Sequence, residues 1–324
     1  MKVSAKAPSN IAFVKYWGRK DEELRLPENG SVSMCLSGLE TTTTVEFDEK
    51  FNQDQIIING VEESLQDNRA VKHLDRIRKV ANIATKAKVV TENNFPTGTG
   101  LSSSASGFAA LTLAAASSAG LKLSEKELSI LARQGSGSAC RSIPDGFVEW
   151  LDGDTSDTSY AVSIFPPEYF DIADVVVVVS TDKKFLATTE GQKTARTSPF
   201  FETRLSMIKD KINRVKKAIE DKNFSEFGEL IEKEALEFHS ILFSSKPPLF
   251  YWTPETVKVM KLVQALRIGG LECYFTINTG QDVHVICKKA DAETVSKTLS
   301  EIPEVRNTII NYPAKGAHLV QESV

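Results

Sequence analysis

The sequence predicts an α+β protein of two domains, on three observations. Its 324 residues make about two domain lengths, taking roughly 150 residues per domain as the guide. The first part carries β-branched segments and turns, whereas residues from about 200 to 243 are mostly helical and an apolar hairpin follows. Between them, Asp174 to Ser180 is apolar at nearly every position, the pattern of a strand buried on both faces. The boundary is expected near Thr181 to Lys184, dividing the chain into residues 1–183 and 184–324.

Each element has a local reason. Thr41 to Phe47 is rich in β-branched residues, and Gln55 to Ile58 is a short strand closed by the turn Asn59-Gly60. Val71, Leu74, Ile77 and Val80 recur every third position between about 66 and 86, which predicts an amphipathic helix. Lys88 to Thr91 reads as a strand. The Ala-rich run ending at Gly120 is a strong helix former, with Ser102, Ser103 and Ser104 at its N-terminus and Gly120 as its C-terminal stop. Ser124 and Glu127 match a capping box for a helix from Glu125 to about Arg133. Strands are expected at Phe147 to Leu151 and Tyr160 to Ile164. Met207, Ile208, Ile212, Val215 and Ile219 give one face of a helical stretch broken at Asn223, and Pro247-Pro248 marks a linker. Pro254 to Leu266 is a helix ended by Gly269-Gly270. Glu272 to Thr276 and Val283 to Cys287 bracket the polar turn Asn278 to Asp282; a helix near 291–300 and a strand near 317–320 close the chain.

Composition bounds the function. Apolar residues make up 41% and charged residues 25%, which fits a globular chain rather than a disordered or collagen-like one. The net charge of −4 argues against a duplex nucleic-acid partner. It leaves room for a small polyanion, because a pocket needs only a few local cations. Cys35, Cys140, Cys273 and Cys287 have no C-x-x-C spacing and are expected to be packed thiols of a reducing compartment. His73, His239, His284 and His318 lack metal-ligand spacing. The first residues lack a signal-peptide core, and no stretch reaches the roughly 20 apolar residues of a membrane span. A soluble, cytoplasmic protein with no membrane partner is expected.

Three segments carry chemistry. Gly98 and Gly100 let backbone approach a bulky anion, and the helix that follows points unpaired N–H groups and its positive dipole end at it. Ser102, Ser103 and Ser104 add hydroxyls. The loop is neither a Walker A motif nor a Rossmann fingerprint, lacking the Lys-Ser/Thr pair of the one and the third glycine of the other. Taken alone it also fits an ordinary turn before a helix. Gly135 to Arg141 (GSGSACR) alternates small residues before one guanidinium, suited to a carboxylate or phosphate or to a plain surface turn. Lys15 lies in the apolar-aromatic run IAFVKYW, where a lysine without a partner is expensive unless it snorkels.

Together these segments resemble the decarboxylases of the mevalonate pathway, the diphosphomevalonate and 5-phosphomevalonate decarboxylases of the GHMP kinase superfamily. The resemblance runs through APSNIAFVKYWGRKD (7–21), NNFPTGTGLSSSASGFAAL (93–111), RQGSGSACRSIPDGFVEW (133–150), ATTEGQKTARTSP (187–199) and CYFTINTGQDVHVI (273–286). It implies an N-terminal ribosomal-protein-like domain that binds ATP, a C-terminal ferredoxin-like α/β sandwich, a cleft between them and a homodimer. It implies ATP with Mg2+, phosphorylation of the C3 hydroxyl of a 5-phosphorylated mevalonate, and loss of phosphate and carbon dioxide to leave an isopentenyl product. Pro96, Gly98, Thr99, Gly100, Leu101, Ser102, Ser103 and Ser104 would then cradle ATP, with Ser104 near its γ-phosphate. Arg141, supported by Asn10, would hold the C1 carboxylate, and Lys15 the transferring phosphate. Tyr16, Arg19, Arg69, Ser136 and Ser138 would bind the 5-phosphate end, with Thr188 near the substrate.

One position departs from the family pattern. Asn278 stands where the resemblance implies a catalytic Asp, and an amide orients a hydroxyl but does not accept its proton. Three readings stay open: a decarboxylase whose dissociative phosphoryl transfer needs no strong base, a mevalonate-type 3-kinase that stops before carbon dioxide loss, and an inactive nucleotide-binding homologue. Related 3-kinases tend to lose the lysine of the KYWG motif, and Lys15 is kept here. Thr189 replaces a basic residue, which leaves a 5-monophosphate and a 5-diphosphate both open as substrates.

Overall fold

The computed structural model describes residues 1–96, 100–180 and 188–320. Its strands are β1 (Lys2–Val14), β2 (Arg19–Asp21), β3 (Leu26–Pro27), β4 (Ser31–Phe47), β5 (Gln55–Ile58), β6 (Val61–Glu62), β7 (Ala87–Asn93), β8 (Phe147–Trp150), β9 (Ala161–Phe165), β10 (Ile172–Val178), β11 (Cys273–Thr276), β12 (Val283–Lys288), β13 (Asn307–Asn311) and β14 (His318–Leu319). Its helices are α1 (Arg69–Ala81), α2 (Ser103–Ser118), α3 (Glu125–Gly135), α4 (Thr188–Lys193), α5 (Phe201–Glu220), α6 (Phe224–Ser244), α7 (Pro254–Ile268) and α8 (Ala292–Ser300).

The strands form two main sheets. The first runs β14-β1-β4-β7-β5-β6, with β8 on β4 and β9 on β8. The long β4 serves two partners on one side, pairing β8 through Ser31 to Met34 and β7 through Thr41 to Phe47. The second sheet is antiparallel in the order β11-β12-β10-β13. Both its faces are covered. Val175, Val177 and Val179 pack with Val259 and Val263 of α7 and with Val295 and Leu299 of α8. Ile172, Val176 and Val178 join a core shared with Phe13 and Met34 of the first sheet and Ile208, Ile212 and Phe227 of α5 and α6. That double burial is why β10 shows no apolar–polar alternation. Its one charged residue, Asp174, is fully buried and bonds His284 Nδ1 at 2.8 Å.

Local sequence signals explain most element ends. Ser124 and Glu127 form the reciprocal capping box of α3. Asn223 caps α6 by accepting from Glu226 N, which is why the helical stretch breaks there. Thr253 caps α7, with Pro254 in its first turn. Gly120 has φ +78° just past α2, a left-handed stop that suits glycine.

Several expectations change. β10 precedes residue 183 yet belongs to the second sheet, and β14, near the end of the chain, pairs with β1 of the first. Sheet membership therefore does not divide at 183/184. Met207 is 42% exposed; it lies about 100° around the helix from Ile208 and misses the buried stripe. β13 was not anticipated: its β-branched run Thr308 to Ile310 is only three residues long and lies between Asn307 and Asn311 in a half-buried edge strand. Residues Gly137–Ser142 form a 3-10 helix rather than an open turn. All four cysteines are buried and free. No described helix is long and apolar enough to cross a membrane.

Candidate active site

The site is built where the first sheet, the start of α2, the end of α3 and the β11–β12 turn converge. A cavity of about 220 Å3 opens there. Lys15, Arg19, Arg25, Arg69 and Arg141 line it, and no described Asp or Glu does. Five cations without a carboxylate make a cavity that attracts polyanions although the chain is acidic overall.

The N-terminus of α2 faces this cavity. Ser102 is its N-cap residue, held at φ +58° with no side-chain capping bond. A left-handed serine is mildly strained, and such strain collects where a loop is fixed for function. Uncapped first-turn N–H groups are suited to a phosphate. Ser102 and Ser104 line the cavity, and Ser104 Oγ receives a 3.3 Å hydrogen bond from Ser136.

Gly100 sits where this loop meets the β11–β12 turn. Its φ is +123°, and a Cβ added there would lie 2.6 Å from the Gly280 Cα. Backbone thus packs on backbone, and no side chain fits. Gly100→Ala is expected to lower unfolding free energy by about 1–3 kcal/mol. Urea denaturation measures it, and an unchanged midpoint would refute the contact.

Lys15 is 3% exposed. Its ammonium donates to Ala12 O at 2.5 Å, Thr276 Oγ1 at 2.8 Å and Asn278 Oδ1 at 3.2 Å. Burial pulls its pKa down to about 7, Glu234 opposes that and Arg141 adds to it. Glu234 acts from behind: it accepts Lys15 N at 3.1 Å while paired with Arg204 and Lys211. No described carboxylate bonds the ammonium itself; the near side chain is the amide of Asn278. That amide also donates to Ser102 Oγ at 3.1 Å and Asn10 O at 3.4 Å, tying the turn to the α2 loop. Asp282 bonds Val179 N at 3.0 Å and does not line the cavity.

Arg141 is 3% exposed. Asn10 Oδ1 accepts from its Nε at 3.3 Å and Nη2 at 3.0 Å, and Ser31 Oγ from its Nη1 at 3.0 Å. The Tyr16 and Trp150 rings flank it with centroids 5.8 and 5.9 Å away. Burial is the main force lowering its pKa. Neighbouring Cys140 has its thiol pushed up to about 12 by burial, so it is no nucleophile at neutral pH.

Most of the expected residues meet here. Lys15, Tyr16, Arg19, Arg69, Ser136, Ser138, Arg141, Thr188 and Asn278 all line the cavity, as do Gly100, Ser102 and Ser104. Asn10 does not; it is fully buried behind Arg141 as its holder. Leu101 is a core residue whose carbonyl accepts from Ser9 Oγ at 2.6 Å. Pro96 is exposed, and neither it nor Ser103 lines the cavity. Gly98 and Thr99 lie outside the described residues. Arg25, Gln192 and Thr279 line it unannounced. Arg25 lies in the charged turn DEELR, where an arginine is ordinarily solvated, so nothing in the sequence marked it. Among the described residues no group of three or more His, Cys, Asp or Glu could hold a metal ion.

This fold is of the GHMP kinase type, two α+β units around an anion-ready helix terminus. Residues 7–161 match the diphosphomevalonate decarboxylase-like N-terminal domain, and 174–322 the mevalonate 5-diphosphate decarboxylase C-terminal domain. A diphosphomevalonate decarboxylase of Candida albicans is 40% identical over 91% of this chain and 87% of its own. Among solved structures, mevalonate diphosphate decarboxylase from Staphylococcus aureus superposes with TM-score 0.92 at 37% identity, covering 99% of this chain and 98% of that one. MDDEF in complex with MVAPP, AMPPCP and magnesium also gives TM-score 0.92 at 37% identity, covering 99% of both chains. The chain belongs to the diphosphomevalonate decarboxylase family, a family of carboxy-lyases.

Proposed function

We propose that this protein decarboxylates 5-diphosphomevalonate at the expense of ATP, giving isopentenyl diphosphate, carbon dioxide, ADP and phosphate. The observation that carries it is the cavity wall of five basic side chains and no described carboxylate, set against the uncapped start of α2. ATP fits that helix terminus: Ser102 and Ser104 supply hydroxyls and α2 supplies N–H groups for its phosphates. Mg2+ would be held chiefly by those phosphates and the serine hydroxyls, since Mg2+ keeps few protein ligands in such sites. Bound there, ATP supplies the phosphoryl group that turns the C3 hydroxyl into a leaving group.

The chain's own residues do the rest. Asn278 orients the C3 hydroxyl through its amide, and the hydroxyl proton passes to an oxygen of the incoming phosphoryl group as the O–P bond forms and the bond to ADP breaks. The Lys15 ammonium draws off negative charge as the phosphoryl group arrives and later departs. Arg141, held by Asn10, fixes the C1 carboxylate so that the C1–C2 bond aligns with the breaking C3–O bond. When C3–O breaks, the C1–C2 electron pair becomes the C2=C3 double bond and carbon dioxide leaves. Arg19, Arg69, Tyr16, Ser136 and Ser138 bind the 5-phosphate end, with Thr188 beside it. The protein acts as a cytoplasmic homodimer.

One coupled assay tests this. Mevalonate, its 5-phosphate and its 5-diphosphate are each offered with MgATP while ADP and carbon dioxide are followed together. Equal release of both from the 5-diphosphate is the expected result. Asn278 favours a second reading, a 3-kinase, and ADP release with a stable 3-phosphorylated product would establish it in place of the first. ATP binding without turnover of any of the three would leave a non-catalytic homologue.

A further inference from the structure

We propose that Arg25 is a specificity-determining residue of this cavity: with Arg69 it forms a paired-guanidinium seat at the C-terminal end of α3 that takes a diphosphate at C5 in preference to a monophosphate. The substrate's identity rests on the decarboxylase reading; the seat rests on geometry.

The two arginines come from distant parts of the chain and land on consecutive carbonyls. Arg25 Nε donates to Gln134 O at 3.1 Å, and Arg69 Nη2 donates to Gly135 O at 2.9 Å. Both side chains line the cavity. The last carbonyls of a helix lack partners within it and carry the negative end of its dipole. They therefore anchor a guanidinium without neutralising it, leaving its other N–H groups for an anion. Arg69 is braced further by the Phe108 ring, 4.8 Å away.

The charge around the seat is one-sided. Burial lowers the pKa of both groups, and Arg19 and Arg76 press in the same direction. Arg25 falls to about 10 and stays charged at neutral pH. Glu22 pairs with Arg19 at 2.6 Å but is 53% exposed and does not line the cavity. From α4 the cavity receives only Thr188, Thr189 and Gln192, which bring no charge.

The backbone aims Arg25 there. It closes the β2–β3 turn at φ +51°, an unusual conformation for a side-chain-bearing residue. The turn is pinned by Arg133 Nε on Leu24 O at 3.0 Å and by Leu24 N on Asp21 Oδ1 at 2.7 Å. A monophosphate is satisfied by one guanidinium fork, whereas a diphosphate presents a second phosphate group to the second fork.

Titration calorimetry with inorganic pyrophosphate and inorganic phosphate tests the seat on the whole chain. In parallel, kcat/KM is measured with MgATP for 5-diphosphomevalonate and 5-phosphomevalonate. Arg25→Gln should weaken pyrophosphate about 10- to 100-fold and phosphate less than about threefold. The diphosphate-to-monophosphate ratio of kcat/KM should fall by a similar factor, mainly through KM, and Arg25→Lys should recover part of it. Equal losses for both anions, no loss, or a native chain without preference for pyrophosphate would overturn the proposal. If the native chain prefers pyrophosphate through Arg25 but decarboxylates neither substrate, the seat stands and the decarboxylase reading falls. If Arg25→Gln decarboxylates with an unchanged substrate ratio, the decarboxylase reading stands and the seat falls.

Discussion

At pH 8, Asn278→Asp turns over 5-diphosphomevalonate at least about five times faster than the native chain. The reason lies in Lys15. Its pKa of about 7 leaves roughly a tenth of it charged at pH 8. A carboxylate at position 278 would replace an amide oxygen 3.2 Å from the ammonium. An opposite charge that close raises a lysine pKa by about 1–3 units, which restores the charged form. The sign is fixed. Activity that needs the ammonium falls as pH rises through its pKa, so native kcat/KM should decline above about 7. The substrate's phosphate ionises near 6 and Arg25 near 10, so the limb belongs to Lys15. In Asn278→Asp the limb should move up by about 1–3 units. Any gain beyond tenfold measures the carboxylate as a base, an effect worth about 10²–10⁴. A limb at the same pH in both proteins would remove Lys15 as its origin.

Arg141→Gln should cut carbon dioxide release by about 10²–10³. The guanidinium is buried, and among the described residues its hydrogen bonds go to Asn10 and Ser31, both neutral. A buried cation without a described carboxylate partner is costly to the fold, which fits the proposed role of holding the substrate's carboxylate. Arg141→Lys should not rescue, because an ammonium cannot span Asn10 and a carboxylate in one planar fork. Parallel ADP and carbon dioxide measurements check this. Release within tenfold of native would remove Arg141 from its role.

Much of this was legible in the sequence, and the misses have physical reasons. Capping chemistry is local, so the box at Ser124 and the break at Asn223 were readable directly. The helix over Val71 and Leu74 declared itself by its period, and the β10 run by its unbroken apolarity. The ownership of β10 was not readable, because pairing with β12 and β13 depends on residues more than a hundred positions away. In the site, Lys15 and Arg141 stood out because a cation in an apolar or small-residue run demands an explanation. Asn10 was expected among the substrate-binding residues in support of Arg141; its amide oxygen accepts from that guanidinium, but it does not line the cavity. Leu101 fell to the core because the α2 loop needs one apolar anchor, and a motif read as a block does not say which residue that is. Arg25 was invisible since its place depends on the end of α3.

The return of the chain's end to its beginning bears on synthesis. Ala5 and Lys6 of β1 pair with Leu319 and His318, and residues just before these lie along β4 through Ser37 N to Tyr312 O and Ala314 N to Cys35 O. β10 likewise waits for β12 and β13. On the ribosome the first strand emerges some three hundred residues before the partner that covers its outer edge. The first sheet must therefore persist through nearly the whole of translation with that edge open. It closes only once β14 has been made, so a nascent chain stalled anywhere before β14 would present β1 to any neighbour able to add a strand.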